Sequence, residues 1–180
     1  MLEVTSQSRR YSDDILFVIN IGSEKIVEDE VITNIAAIEL NLNPAKTERR
    51  RFEKVDKRLE CKNTNTGKMQ KLQYLGIEFD GKYCFLRSSS ISRFYRNLHK
   101  HVKRAIWQSI QNGTQAINLK KIYRRFTALD EAEGSSNFIT YAKKTHRLLL
   151  PFSKINHQIT DNIVIKKIRA ITREKRVGST

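Results

Sequence analysis

Tyr11-Ser12-Asp13-Asp14 sets two adjacent carboxylates directly before an apolar run, Ile15-Leu16-Phe17-Val18-Ile19. Adjacent carboxylates repel, and beside a buried strand they need a compensating cation or a raised pKa. A divalent ion supplies that compensation. Oxygen donors favour Mg²⁺, with Mn²⁺ the alternative, and Mg²⁺ takes one or two carboxylates plus water and substrate phosphate. A second set of groups able to do chemistry is cationic: Arg93, Arg96, Lys100, Lys103 and Arg104. On a wheel of about 100° per residue they share one helix face, while Ile91, Phe94, Tyr95, Leu98, Val102, Ala105 and Ile106 share the other. Five cations without an anion repel one another, so the stripe costs helix stability unless a phosphate backbone neutralises it. A merely solvated face is the alternative. A membrane surface fits less well, because the apolar face is needed to pack the helices that follow.

Other chemistries find no support in the sequence. There is no Ser-His-Asp arrangement and no phosphate-cradling glycine loop, and His99, His101, His146 and His157 lack ligand spacing. They are expected at the surface or at an interface. Cys61 and Cys84 are too few for a disulfide framework and are not spaced as metal ligands, which makes a reducing cytosol the default. No apolar run approaches the about 18 residues of a membrane span, and Met1 to Arg10 carries no signal core. The chain has 180 residues, 39% hydrophobic and 29% charged, enough for one ordinary domain or two small ones. Seven Gly and two Pro exclude a collagen-like or Pro/Gly-rich disordered chain. The net charge of +15 is segregated: residues 1–81 hold 13 basic and 14 acidic side chains, residues 82–180 hold 21 and 5. A field of that size attracts polyanions.

Folded elements must position these groups. The run 15–19 predicts a buried strand entered from the Tyr11–Asp14 turn and ended by Gly22-Ser23. Ser23 is a candidate N-cap for a helix to about Leu40, with Glu24 in its first turn and Asn41 to Pro44 as the stop. Ile26, Val27, Val31, Ile35, Ile38 and Leu42 give that helix an apolar face to lay on a sheet. Thr47 to Val55 is expected as a strand with Arg49-Arg50-Arg51 largely solvated, and residues 56–71 as an exposed loop. Tyr74 to Phe79 and Tyr83 to Leu86 flank Asp80-Gly81, a strong hairpin signal. From Ser88 the pattern is helical. Ser88-Ser89-Ser90 offer N-caps, Gly113 ends a long helix, and further helices are expected at about 118–129, 135–150 and 158–174, broken at Gly134-Ser135 and Pro151. Tyr123, Phe126, Phe138 and Tyr141 are expected to pack these helices. The fold class is α+β, mixed in the first half and all-helical in the second, with a boundary near Arg87.

Four of these stretches together carry a resemblance. Tyr11-Ser12-Asp13-Asp14 with Ile15-Leu16-Phe17-Val18 resembles the Tyr-x-Asp-Asp box of reverse transcriptases. Leu40-Asn41-Leu42-Asn43-Pro44-Ala45-Lys46-Thr47-Glu48 is similar to the next palm motif, of the Leu-Asn-x-x-Lys-Thr type. Tyr74-Leu75-Gly76-Ile77-Glu78-Phe79 looks like the primer-grip hairpin that follows, and Ser89-Ser90-Ile91-Ser92-Arg93-Phe94 resembles the start of the thumb helix. Order and spacing agree across roughly residues 8–110, closest to bacterial enzymes of the retron, group II intron and phage-defence type.

The resemblance implies a partial palm over residues 1–87, antiparallel strands with one packed helix, and a helical basic thumb over 88–180. It implies an RNA-directed DNA polymerase that uses two Mg²⁺ ions at a primer 3′-hydroxyl, one activating it and one clamping pyrophosphate. Asp13 would hold the ions with Asp14 in support, Tyr11 and Ser12 would sit near the primer terminus, and Lys46 near the incoming triphosphate. Tyr74, Leu75 and Gly76 would grip the primer. Arg93, Arg96, Lys100, Lys103 and Arg104 would track an RNA template and DNA primer, or their hybrid, through its backbone. Without the resemblance, Lys46 is an ordinary helix-end cation, and Tyr74 and Leu75 are strand core.

The match starts in mid-palm. Polymerases of this family use another carboxylate on an earlier strand, plus fingers, and the ten residues before Tyr11 have no room for either. A complementary polypeptide carrying the fingers and the earlier palm aspartate is therefore expected, and the isolated chain is expected to be inactive. The unpaired apolar side of Ile15 to Ile19 favours self-association. The alternatives are a truncated remnant that binds nucleic acid without catalysis, and an unrelated basic RNA-binding module. The last predicts a Tyr11–Asp14 turn that is not flanked by paired strands.

Overall fold

The computed structural model describes residues 7–114, 117–129 and 137–177, so the break expected at Gly134-Ser135 lies outside the described residues. The chain is α+β. It divides into two compact units between Leu75 and Gly76, whereas the shift in composition and pattern points to Arg87. The reason is that the hairpin preceding Arg87 seats Leu86, fully buried, in the core of the helices.

In the N-terminal unit, β1 (Gln7–Tyr11) and β2 (Asp14–Val18) pair antiparallel with Tyr11 opposite Asp14. The expectation that the apolar run is buried is corrected: Ile15, Phe17 and Val18 are exposed. Burial of a strand needs partners on its face and edges, and this sheet has two strands. Helix α1 (Glu24–Ala36) sets Ile26, Val27, Val31 and Ile35 along a groove of about 380 Å³ shared with Ile15 and Phe17, yet only Val27 of α1 is buried. Its termini also differ from expectation. The Ser23 side chain caps nothing, and Glu24 instead accepts the Gly22 N–H at 2.7 Å. The backbone N–H of Glu24 itself, helped by the Gly22 bond and Arg51, holds the Glu24 carboxyl below its ordinary pKa against an opposing effect of burial. The helix stops before Asn41 because Glu39 turns left-handed (φ 57°) and Leu40 N–H bonds back to Ile35 C=O at 3.1 Å, a Schellman closure with Glu39 where glycine is usual.

β3 (Arg50–Val55) and β4 (Arg58–Asn63) form a second hairpin where residues 56–71 were expected to be loop. Asp56 and Lys57 both adopt positive φ (45° and 67°), the geometry of a two-residue hairpin turn without its usual glycine. Residues 64–71 remain loop as expected, apart from an isolated bridge of Met69 to Lys62, and the Asn63 side chain accepts the N–H groups of Asn65 and Thr66. The arginine run is not uniformly solvated. The Arg50 side chain is 3% exposed and pairs with Glu48 at 2.7 Å, while Arg49 pairs with Glu28 and Arg51 with Glu24 at the surface. β5 (Leu72–Tyr74) closes this unit, so Tyr74 to Phe79 is not one strand: Leu75 and Gly76, at φ 47° and 81°, interrupt it.

The C-terminal unit opens with β6 (Ile77–Phe79) and β7 (Cys84–Leu86), antiparallel around Asp80–Tyr83, whose turn is closed by Asp80 accepting the N–H groups of Lys82 and Tyr83. Helices α2 (Ser88–Gln111), α3 (Lys120–Phe126), α4 (Phe138–Leu148), α5 (Ile155–Gln158) and α6 (Asp161–Val177) follow. The serines do not cap α2. The buried Glu78 carboxylate on β6 does, accepting Ser88 N–H at 3.0 Å and its hydroxyl at 3.4 Å, an acid at the positive end of a helix dipole. Gly113 (φ 61°) lies just past the C-terminus of α2, as its spacing predicts. Asn137 and Thr140 form a capping box on α4. One continuous core joins Leu86, Phe94, Leu98, Val102, Ile106, Ile139, Ile155, Val164 and Ile168. The outer edge of β7 is covered: Gln158 bonds both the N–H and the C=O of Leu86, at 2.7 and 3.2 Å, and Phe152 and Lys154 bond Cys84.

Candidate functional site

The carboxylate turn is a two-residue hairpin tip. Ser12 (φ 56°) and Asp13 connect β1 to β2, Arg10 donates to Ser12 C=O at 3.0 Å, and Tyr11, Asp13 and Asp14 are exposed. Because the adjoining strand is exposed too, water screens the pair, and the compensating cation expected for a buried setting is not required. As donors, two carboxylates suit a single hydrated Mg²⁺ or Mn²⁺. They do not make a two-ion centre: among the described residues no three His, Cys, Asp or Glu side chains converge on a metal position.

The remaining residues singled out by the palm-like motifs are scattered. Lys46 is exposed on a turn built by Asn43, whose side chain accepts Ala45 N–H at 3.0 Å and whose carbonyl accepts Lys46 N–H at 3.0 Å; it is not at a helix end. Tyr74 belongs to the N-terminal unit, where its hydroxyl donates to Arg9 C=O at 3.4 Å and so ties β5 to the strand leading into the acidic turn. Leu75 is exposed, and Gly76 opens the C-terminal unit, with its carbonyl accepting Arg87 N–H at 2.8 Å.

The cationic stripe is organised as its periodicity predicts. Phe94, Leu98, Val102 and Ile106 are buried, with Ile91, Tyr95 and Ala105 packed beside them. Arg93, Arg96, Lys100, Lys103 and Arg104 are all exposed, and among the described residues none of the five forms an ion pair. Burial of the opposite face fixes the direction in which the stripe points. Phe126 and Phe138 meet Phe94 at centroid distances of 5.5 and 5.1 Å and serve the core; Tyr123 is half-buried against it, and Tyr141 is at its margin.

Two features of this surface escape a count of charges. Trp107 lies three residues after Arg104 and four after Lys103, so it shares the cationic face, and it is 61% exposed. Separately, a groove of about 280 Å³ between α2 and α3 brings Arg104 and Lys121 together with Gln108, Asn112 and Asn118. The wheel position of Trp107 would have revealed the first; the groove depends on how α3 returns and has no local signal.

The histidines take no metal-like arrangement among the described residues. His101 packs on the Phe126 ring at 5.4 Å, and burial, then the nearby Arg125 and Arg104, push its pKa down. His146 Nδ1 lies 2.8 Å from Ser153 Oγ, His99 is half-buried and His157 is exposed. Cys61 and Cys84 are not joined in a disulfide, and burial and then Asp80 push the Cys84 thiol up in pKa. No helix among the described residues is long and apolar enough to cross a membrane. No protein-family model matches the chain, and no curated protein matches it.

Proposed function

We propose that this chain is the palm-to-thumb portion of a reverse-transcriptase-like polymerase, which binds a template–primer along α2 and acts catalytically only together with fingers and a further aspartate, carried by another polypeptide or by sequence joined to it. The observation that carries the reading is the hairpin tip. Asp13 at the tip and Asp14 at the start of β2 stand exposed on a turn flanked by two paired strands, the arrangement that a chance match to the motif would not require. Asp13, with Asp14 in support, would hold Mg²⁺ or Mn²⁺ only together with that added carboxylate, since the pair alone does not form a two-ion centre. Lys46 would lie toward the incoming triphosphate, and Tyr74, Leu75 and Gly76 toward the primer.

The test is primer extension on an RNA template, with the chain co-expressed alongside whatever open reading frame lies directly upstream. Mg²⁺-dependent extension by the pair and its loss in Asp13→Ala are expected. An inactive pair, or an Asp13→Ala pair as active as the original, overturns the reading.

A second reading, a nucleic-acid-binding remnant without polymerase activity, is favoured by the unpaired cationic face and by the incomplete donor set. It predicts binding to duplex or hybrid that is indifferent to Asp13 and to Mg²⁺. Five phosphate contacts would give a slope of log K against log salt of about −4 to −5.

A further inference from the structure

Trp107 is 61% exposed on the cationic face of α2, so a large aromatic surface stands among phosphate-binding cations. The stripe alone is blind to sequence, because Arg and Lys on phosphates position a strand without reading it. The last third of α2 is chemically different. Trp107 presents an aromatic face three residues after Arg104, and Arg104 also lines the groove, together with Gln108 and Asn112 of α2 and Asn118 from the segment before α3. Side-chain amides pair with base edges, and Trp stacks on bases, while Arg104 and Lys121 in the same groove suit a phosphate. No Asp or Glu lines the groove among the described residues, so its sign admits an anion. At about 280 Å³ it lies at the lower edge of the range of about 300–1,000 Å³ for ligand pockets, room for a single unit and not for an oligomer.

We propose that the C-terminal third of α2 is a seat for one unpaired nucleotide of a nucleic-acid strand, its base stacked on Trp107 and its phosphate held by Arg104 and Lys121. The proposal rests on the reading that this chain binds nucleic acid and adds a discrimination that the stripe lacks. Paired bases are stacked within their own helix and cannot cover Trp107, so the seat distinguishes a duplex with a single-stranded tail from a blunt one.

Trp107 is the only tryptophan in the chain, so its emission reports this place alone. The full chain is titrated with a blunt RNA hairpin and with the same hairpin carrying a three-nucleotide 3′ tail, following tryptophan emission and the anisotropy of a label on the RNA. The tailed RNA is expected to quench Trp107 and to bind about tenfold tighter than the blunt one. Trp107→Ala should bring the tailed RNA down to the blunt one, Trp107→Phe should keep most of the preference, and Arg104→Ala with Lys121→Ala should weaken it. Equal quenching by both RNAs, or a preference that survives in Trp107→Ala, overturns the seat. So does displacement of the tailed RNA by an equal concentration of free AMP, which would assign the groove to a free nucleotide, or an emission shift obtained only with phosphatidylserine vesicles. Tailed RNA bound with Trp107 silent removes the seat and leaves the nucleic-acid reading standing; neither RNA bound at low salt removes both.

Discussion

The two compact units solve the burial problem to different degrees. The C-terminal unit draws its core from a hairpin and several helices, with Leu86, Leu98, Val102, Ile155, Val164 and Ile168 fully buried. In the N-terminal unit, the buried apolar side chains among the described residues are Val27 and Cys61, while Ile15, Phe17, Ile26 and Ile32 face water. Charge divides the same way: the C-terminal unit holds 21 of the 34 basic residues, and five of them share one side of α2, whose other side is locked in the core. A rigid platform thus presents the basic surface, and a thinly packed unit presents the acidic turn. The lesson is that the surface charge of this protein is organised where the core is, since only a fixed apolar face fixes the direction of its opposite.

The largest effects that could break this contrast come from the cores. Leu98→Ala or Ile168→Ala should cost about 2–5 kcal/mol in the C-terminal unit, whereas Ile15→Ala should cost about 0.5 kcal/mol or less. Urea unfolding with hydrogen exchange resolved by unit measures both; an equal loss from Ile15→Ala would mean that the N-terminal unit has a core after all. Buried and exposed carboxylates give the next test. Glu78→Ala strands the first N–H of α2 and should cost about 1–3 kcal/mol, while Glu28→Ala, which removes the exposed partner of Arg49, should cost about 0–1 kcal/mol.

The smallest effect sharpens the comparison by pH. His101 has a depressed pKa in the folded chain, from burial first and then Arg125 and Arg104. The unfolded chain therefore takes up a proton near about 6.5 that the folded chain resists. This contribution to stability is intact above that pH and declines as pH falls below it. His101→Gln should flatten the acid limb of the C-terminal unit and leave that of the N-terminal unit unaltered.

Much of this architecture is legible in the sequence where a local period decides it. The face of α2 is such a case, because burial of Phe94, Leu98, Val102 and Ile106 follows a 3.6-residue repeat, and so is the Asp80-Gly81 turn. The exposure of β2 is not legible, since an apolar run says what a strand would bury and not whether partners exist to bury it. The β3–β4 hairpin hides behind Asp56-Lys57, a left-handed pair without glycine, and the end of α1 hides behind Glu39 for the same reason. At the candidate site, the hairpin tip and the stripe can be read from residue order. Trp107 is visible to a wheel and invisible to a charge count, and the α2–α3 groove depends on a chain reversal that nothing local encodes.

The covering of the β7 edge by Gln158 joins residues 72 positions apart. A ribosome delivers Leu86 long before Gln158, so for that interval the hairpin must wait with an open edge, and Leu98 and Val102 must wait for Val164 and Ile168. The platform is therefore completed only after α5 and α6 have been made, and a nascent chain stalled before Phe152 would expose the very strand edge and apolar seam that chaperones recognise.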